Sequence, residues 1–302
     1  MHARKVASVA LLSVIVLAMA SLAHAGAYTA VIAYGDSLSD NGNLFAATGY
    51  PPYPYWNGRF SNGPVTVEYL ANSLHSPLLD FAWGGATSGW GNTADGGNQT
   101  TVGTLGLPGM LLELQGTLGT ITPIAPNSLF VVWGGSNDFL TNGFSTATAD
   151  TAVGDLLSIV SELKGLGAQH ILVPGMPDLG LSPSLSGIGP EATALSLYFN
   201  HELTTLLPNG VAYFDTFGLE HKVVANPGAY GFTDVTDPCF NGVTVCANPS
   251  QYLFWDGTHP TTTADVLLAA QFASAVPEPS TLLMLGTGIA GLAGVLRRKM
   301  SA

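Results

Sequence analysis

Two stretches far apart in the chain hold the side chains that together could carry out acyl transfer. The first is Tyr34-Gly35-Asp36-Ser37-Leu38-Ser39-Asp40 and the second is Asp256-Gly257-Thr258-His259-Pro260. A serine hydroxyl is a poor nucleophile at neutral pH and needs a base within hydrogen-bond reach. A histidine is such a base when a carboxylate fixes its tautomer and orientation. Of the histidines from residue 26 on (His75, His170, His201, His221 and His259), only His259 has a carboxylate, Asp256, at a spacing that lets one loop present both. His170 begins a strand-like run, His201 and His221 lie on or just after helical stretches, and His75 closes a helix, where an imidazole suits the dipole. Gly-Asp-Ser alone is ordinary turn chemistry; the distant Asp256/His259 pair is what favours a reactive Ser37.

The elements that must position these residues are strands ending in loops. Thr29–Ala33 is a short apolar, β-branched run and reads as a buried strand that delivers Ser37 just past its end. Gly35 is expected to let the chain turn sharply there. Further strands are expected at Leu78–Ala82, Leu129–Trp133, Ile171–Pro174 and Val211–Asp215. Helices are expected at Pro64–Ser73, Ala149–Leu166, Pro190–Leu207 and Thr262–Ala273. In the second of these, Val153, Leu156, Leu157, Val160 and Leu163 recur at helical spacing. Near-continuous apolar strands alternating with helices indicate an α/β fold whose parallel sheet is covered on both faces. The loop at 41–62 is long and rich in Gly, Pro and aromatics, and the Gly/Asn/Thr-rich stretch Ser88–Gly103 reads as a mobile loop.

Four blocks in order, Gly35-Asp36-Ser37-Leu38, Phe81-Ala82-Trp83-Gly84-Gly85-Ala86-Thr87, Gly135-Ser136-Asn137-Asp138 and Asp256-Gly257-Thr258-His259, resemble the GDSL esterase/lipases of the SGNH hydrolase superfamily, leaning towards its lipase-acyltransferase branch. The resemblance implies a three-layer α/β/α sandwich of flavodoxin-like type and ester hydrolysis through an acyl-Ser37 intermediate. It implies Ser37, Asp256 and His259 as the triad. It also implies an oxyanion hole of the Ser37 and Gly85 backbone N–H groups and the Asn137 side-chain amide, with no metal or organic cofactor. One departure is Asp80, where the second block often begins with Asn. The Gly-x-Ser-x-Gly elbow of the α/β-hydrolases is absent. The expected substrate is an ester of a lipid or an acylated saccharide. The alternatives on the same site are acyl transfer to an alcohol and polysaccharide deacetylation. The alternative from another class is a non-catalytic surface or matrix-binding protein that keeps the blocks for their turns.

The two ends read as addresses. Residues 1–25, with Arg4 and Lys5, an apolar run and Ala23-His24-Ala25, read as a secretory signal peptide. At 276–302, Val276-Pro277-Glu278-Pro279-Ser280 is followed by the apolar run Leu282–Leu296 and by Arg297-Arg298-Lys299. This ending resembles the PEP-CTERM sorting signal of Gram-negative bacteria. It implies recognition by an exosortase-like processing enzyme, with transient membrane anchoring through a short C-terminal transmembrane helix. The alternative is a plain membrane anchor. Export places the protein in the periplasm, at the cell surface or outside. The hydrolase domain is then 26–275.

Only Arg59, Lys164 and Lys222 of the 8 basic residues lie in that domain, against all of the 20 acidic ones but Glu278, so its net charge is −16. Phosphate binding needs Lys and Arg, so nucleic acid is excluded as a partner. Cys239 and Cys246 are expected to form one disulfide in an exported chain, the rival being a metal pair with no other ligand cluster nearby. Tyr53, Tyr55, Trp56 and Trp83 are candidate substrate contacts, the alternative being an apolar patch covering the sheet edge.

Overall fold

Apolar strands with no polar face must be covered on both sides, and the chain does this with helices. β1 (Val31–Gly35), β2 (Leu78–Asp80), β3 (Leu129–Trp133), β4 (His170–Pro174) and β5 (Ala212–Phe214) form one parallel sheet in the order β2-β1-β3-β4-β5. The register pairs Val31 with Leu78 and Leu129, Leu129 with His170, and Leu172 with Ala212. Every residue of β1 and β3 is buried. This computed structural model describes residues 28–125 and 127–276. The expected signal peptide and the C-terminal sorting segment beyond Val276 lie outside the described residues. Among the described residues no helix is long and apolar enough to cross a membrane.

The helices are α1 (Asn43–Thr48), α2 (Thr66–Ser73), α3 (Met110–Ile121), α4 (Ser136–Asn142), α5 (Thr146–Gly165), α6 (Gly189–Leu206), α7 (Thr216–Ala225) and α8 (Thr262–Ala275). One sheet face, with Ile32, Tyr34, Phe130, Val132, Ile171 and Val173, packs on α3, α5 and α6 through residues such as Met110, Val153, Ile159 and Phe199. On the other face α8 lies on β4 and β5, and α2 lies beside it on β1 and β2. There Phe272 meets Trp133 and Phe214 edge-on, with ring centroids 5.2 and 5.1 Å apart. A three-layer α/β/α sandwich results. A small parallel pair, β6 (Asp234–Pro238) and β7 (Tyr252–Phe254), adds a second sheet.

Helices α2 and α8 are fastened by polar bonds that join the two ends of the domain. The Asp265 carboxyl lies 2.8 Å from Thr66 Oγ1 and 3.1 Å from Ser61 Oγ. Tyr69 Oη is 2.8 Å from Thr262 Oγ1, and the Thr262 N–H donates to Asn62 Oδ1.

Three sequence expectations change. The 41–62 loop contains the short helix α1. Helices α3 and α7 and the β6–β7 pair arise where no element was expected. The Ser88–Gly103 stretch is tightly wound rather than loose: Ser88 and Asn92 are fully buried, and Gln99 nearly so. Its backbone folds on itself through Trp90 N–H to Gln99 O and Gly91 N–H to Asn98 O, each 2.9 Å. Asp138 accepts from the Ser88 N–H at 2.9 Å and its hydroxyl at 2.8 Å. Gly and short polar residues here serve close backbone packing, since a Cβ on Gly89 would strike the Gln99 carbonyl.

Candidate active site

In an open sheet of this order the strand sequence reverses between β1 and β3, and the crevice beyond their C-terminal ends is where side chains from two directions converge. Ser37 follows β1 and Asn137 follows β3 into that crevice. Gly35, the last residue of β1, is glycine for closeness and not for a turn: its φ is ordinary, and a Cβ would meet the Trp133 carbonyl on β3. The Asp36 carboxyl is buried and accepts from the Leu38 N–H at 3.0 Å, which closes the turn carrying Ser37. Burial pushes the Asp36 carboxyl up to about 6 against that bond.

The opposing loop follows β7. It is closed by the Trp255 N–H donating to His259 O at 2.7 Å. Asp256 Oδ1 accepts from the Thr258 N–H at 2.8 Å and the His259 N–H at 2.7 Å. Asp256 Oδ2 lies 2.8 Å from His259 Nδ1, and His259 Nε2 lies 2.9 Å from Ser37 Oγ. Carboxylate, imidazole and hydroxyl thus form one continuous line. Phe60 packs beside the imidazole, ring centroids 5.0 Å apart, and limits its rotation.

Tyr55 completes the carboxylate's shell. Its hydroxyl donates to Asp256 Oδ2 at 2.7 Å, and its ring stands edge-on to Phe240 and Trp255. Cys239 and Cys246 are joined in a disulfide. It closes the small loop carrying Phe240, whose N–H donates to Trp255 O.

The electrostatics follow from this geometry. Burial works to raise the Asp256 carboxyl, but the His259 charge and the bonds from His259 and Tyr55 outweigh it and hold it well below the usual range. Burial works to lower the His259 imidazole, and the Asp256 charge and hydrogen bond outweigh it, so His259 is more basic than an ordinary histidine. Burial first, and the Asp256 charge second, push the Tyr55 phenol up, so it remains a donor.

The loop after β2 is tied to the Ser37 turn by Asp40, whose carboxylate accepts from the N–H groups of Gly42, Asn43, Leu44 and Gly84. Asp80 accepts from the Asn41 and Ala82 N–H groups, so the carboxylate at this departure joins the same two loops. Gly85 has φ +80°, and a Cβ there would lie 2.6 Å from Asn92 Oδ1. Asn137 Nδ2 donates one proton to Ala86 O at 3.0 Å, which fixes the amide and leaves its other proton free to face the crevice. Among the described residues neither the Ser37 nor the Gly85 backbone N–H has a protein partner.

A cavity of about 190 Å³ opens beside Ser37, Asn137 and His259. Its walls are mainly aliphatic, including Leu38, Leu140, Leu179, Leu219, Val223 and Leu267. None of Tyr53, Tyr55, Trp56 and Trp83 is among its lining residues. Tyr53 projects into solvent, 92% exposed. Trp56 lies under the Arg59 guanidinium at 5.0 Å, and Trp83 packs on the core. The roles of Tyr55, Asp40 and Glu113 (which accepts from the Gly35 and Trp83 N–H groups) were not foreseen. A phenol or carboxylate distant in sequence carries no periodic signal. Only the surplus of acidic residues in apolar surroundings hinted that some are internal acceptors.

Residues 31–272 match the GDSL-like Lipase/Acylhydrolase family. The chain belongs to that family. A phosphatidylcholine-sterol acyltransferase of Aeromonas hydrophila is 30% identical over 246 residues, covering 78% of this chain and 72% of that protein. A GDSL esterase/lipase of Arabidopsis thaliana is 28% identical over 299 residues, covering 80% of this chain and 88% of that one. The crystal structure of a lipase/acylhydrolase from Enterococcus faecalis is more distant, at 14% identity and TM-score 0.42, covering 82% of this chain and 97% of that one. This GDSL-family member is a serine hydrolase of ester bonds. Residues 275–299 match the PEP-CTERM protein-sorting motif.

Proposed function

We propose that the protein is an exported esterase in which Ser37 attacks the ester carbonyl while His259 Nε2 takes its proton. The observation carrying this reading is the unbroken line Ser37 Oγ–His259–Asp256, at 2.9 and 2.8 Å. The Ser37 and Gly85 N–H groups and the Asn137 amide receive the negative charge of the tetrahedral intermediate. Each such donor is worth about 2.7–4 kcal/mol at the transition state. The intermediate expels the alcohol, which takes its proton from the His259 imidazolium. Water then attacks acyl-Ser37 with His259 again as base. The carboxylic acid leaves, and the proton returns to Ser37.

Residues 1–25 act as the signal peptide, 26–275 as the catalytic domain and 276–302 as the sorting tail. An exosortase-like enzyme processes that tail, after brief anchoring in the inner membrane of a Gram-negative bacterium. The mature enzyme works at or beyond the cell surface, where its acidic charge keeps it soluble. The kinship with an acyltransferase supports a second acceptor, an alcohol in place of water, on the same acyl-Ser37.

The test is labelling with a fluorophosphonate probe and hydrolysis of p-nitrophenyl esters. The wild type labels and turns over, whereas Ser37→Ala does neither and His259→Ala falls by several orders of magnitude. Equal labelling of Ser37→Ala would overturn the assignment.

A further inference from the structure

The cavity beside Ser37 has in its wall a carboxyl, that of Glu220, which the chemistry above does not use, together with the hydroxyls of Ser136, Ser182, Thr216 and Thr258. Glu220, on α7, is half-buried among Leu219, Val223 and Leu268. One of its oxygens, Oε2, accepts from the Asp178 N–H at 2.7 Å. Its other oxygen has no hydrogen-bond partner among the described residues, and Glu220 is part of the cavity lining.

A carboxyl in an aliphatic wall is costly unless something answers it. Burial pushes the Glu220 carboxyl up to about 8, towards the acid form, which can both donate and accept. The leaving alcohol must depart before water can enter, so a walled space beside Ser37 suits the half of the ester that stays, the acyl chain.

We infer that the cavity receives an aliphatic acyl chain bearing a hydroxyl group along its length, and that Glu220 binds this hydroxyl. The enzyme would then prefer esters of hydroxylated fatty acids to those of plain ones. This rests on the esterase reading of Ser37. A hydrocarbon chain of equal length leaves the carboxyl unanswered. A hydroxyl at the wrong carbon adds a second unanswered group to the aliphatic wall.

The experiment uses p-nitrophenyl octanoate and its hydroxyoctanoates, with the hydroxyl moved along the chain. For the wild type, kcat/KM should peak at one hydroxyl position, at least about tenfold above octanoate. That is well below the 10⁴–10⁵ of a site built wholly around a substrate hydroxyl. Glu220→Leu should erase or reverse the preference, and Glu220→Gln, which keeps a donor and an acceptor, should retain it. A flat wild-type profile over hydroxyl position, with octanoate cleaved as well as any, overturns the inference while leaving the esterase intact. So does a peaked profile unchanged in Glu220→Leu. If no ester is cleaved and the fluorophosphonate fails to label, the esterase reading falls first and takes this inference with it.

Discussion

Replacing Tyr55 by Phe removes one oxygen from a well-defined place. The hydroxyl donates to Asp256 Oδ2 at 2.7 Å, the same oxygen that holds His259 Nδ1. The remaining ring still fits between Phe240 and Trp255. A hydrogen bond to a charged acceptor contributes about 1.5–3 kcal/mol, so a loss of stability of that order is expected. Asp256 is a carboxylate both before and during the reaction, so only part of this reaches the rate, and kcat should fall by less than about tenfold. The informative readout is the acidic limb of kcat/KM. Without Tyr55, Asp256 concentrates its charge on the imidazolium and raises the His259 pKa further. If half of the lost bond is so transferred, about 1 kcal/mol, the limb moves up by about 0.7 pH unit. KM should not move, because Tyr55 does not line the cavity. Steady-state kinetics from pH 5 to 9 check this. A variant with raised KM, unchanged kcat and an unshifted limb would refute the positioning role and restore Tyr55 as a substrate contact.

Three further outcomes are expected. In the wild type the acidic limb should lie above the ordinary histidine value of about 6.5, because Asp256 holds the His259 proton; a pH–rate profile with its limb at or below that value contradicts the geometry. Asn137→Ala should lower kcat by about 10²–10³ through loss of one donor, with melting temperature little changed; a purely structural Asn137 would do the opposite. Burial pushes the Asp265 carboxyl up to about 8, against about 3.9 in the unfolded chain. Its folded-state pKa is the higher, so its contribution to stability is complete below about pH 4 and is lost as pH rises towards 8. Asp265→Asn should flatten the fall of melting temperature over that window, and equal slopes in both proteins would rule the group out.

The sheet was legible because β1, β3 and, after His170, β4 are unbroken apolar runs, which only a sheet covered on both faces can use. Ser37 and Asn137 were legible as residues following strands and His259 as a loop residue, in blocks resembling a known family. What was not legible depended on tertiary contacts. Helix α3 carries Gly116, Gly119 and two threonines, and α7 mixes Gly218 with β-branched residues, so local propensity hid both. The Ser88–Gly103 segment has a loop's composition, yet Ser88, Asn92 and Gln99 are buried, because polar side chains here satisfy the local backbone and Asp138 accepts from Ser88. Gly35 looked like a turn residue, and its reason lies on another strand. The Tyr55–Asp256 bond spans the length of the domain, and no local pattern encodes it.

The fastening of α2 to α8 joins residues made early to residues made late. A ribosome delivers Ser37 near the start of the domain and His259 near its end, and α8, which covers β4 and β5, later still. On the proposed reading, a nascent or truncated chain holds Ser37 without His259 and cannot cleave an ester. The sorting motif begins at residue 275, sixteen positions past His259. On the proposed reading, the base and the C-terminal sorting motif are thus completed within one short stretch of synthesis.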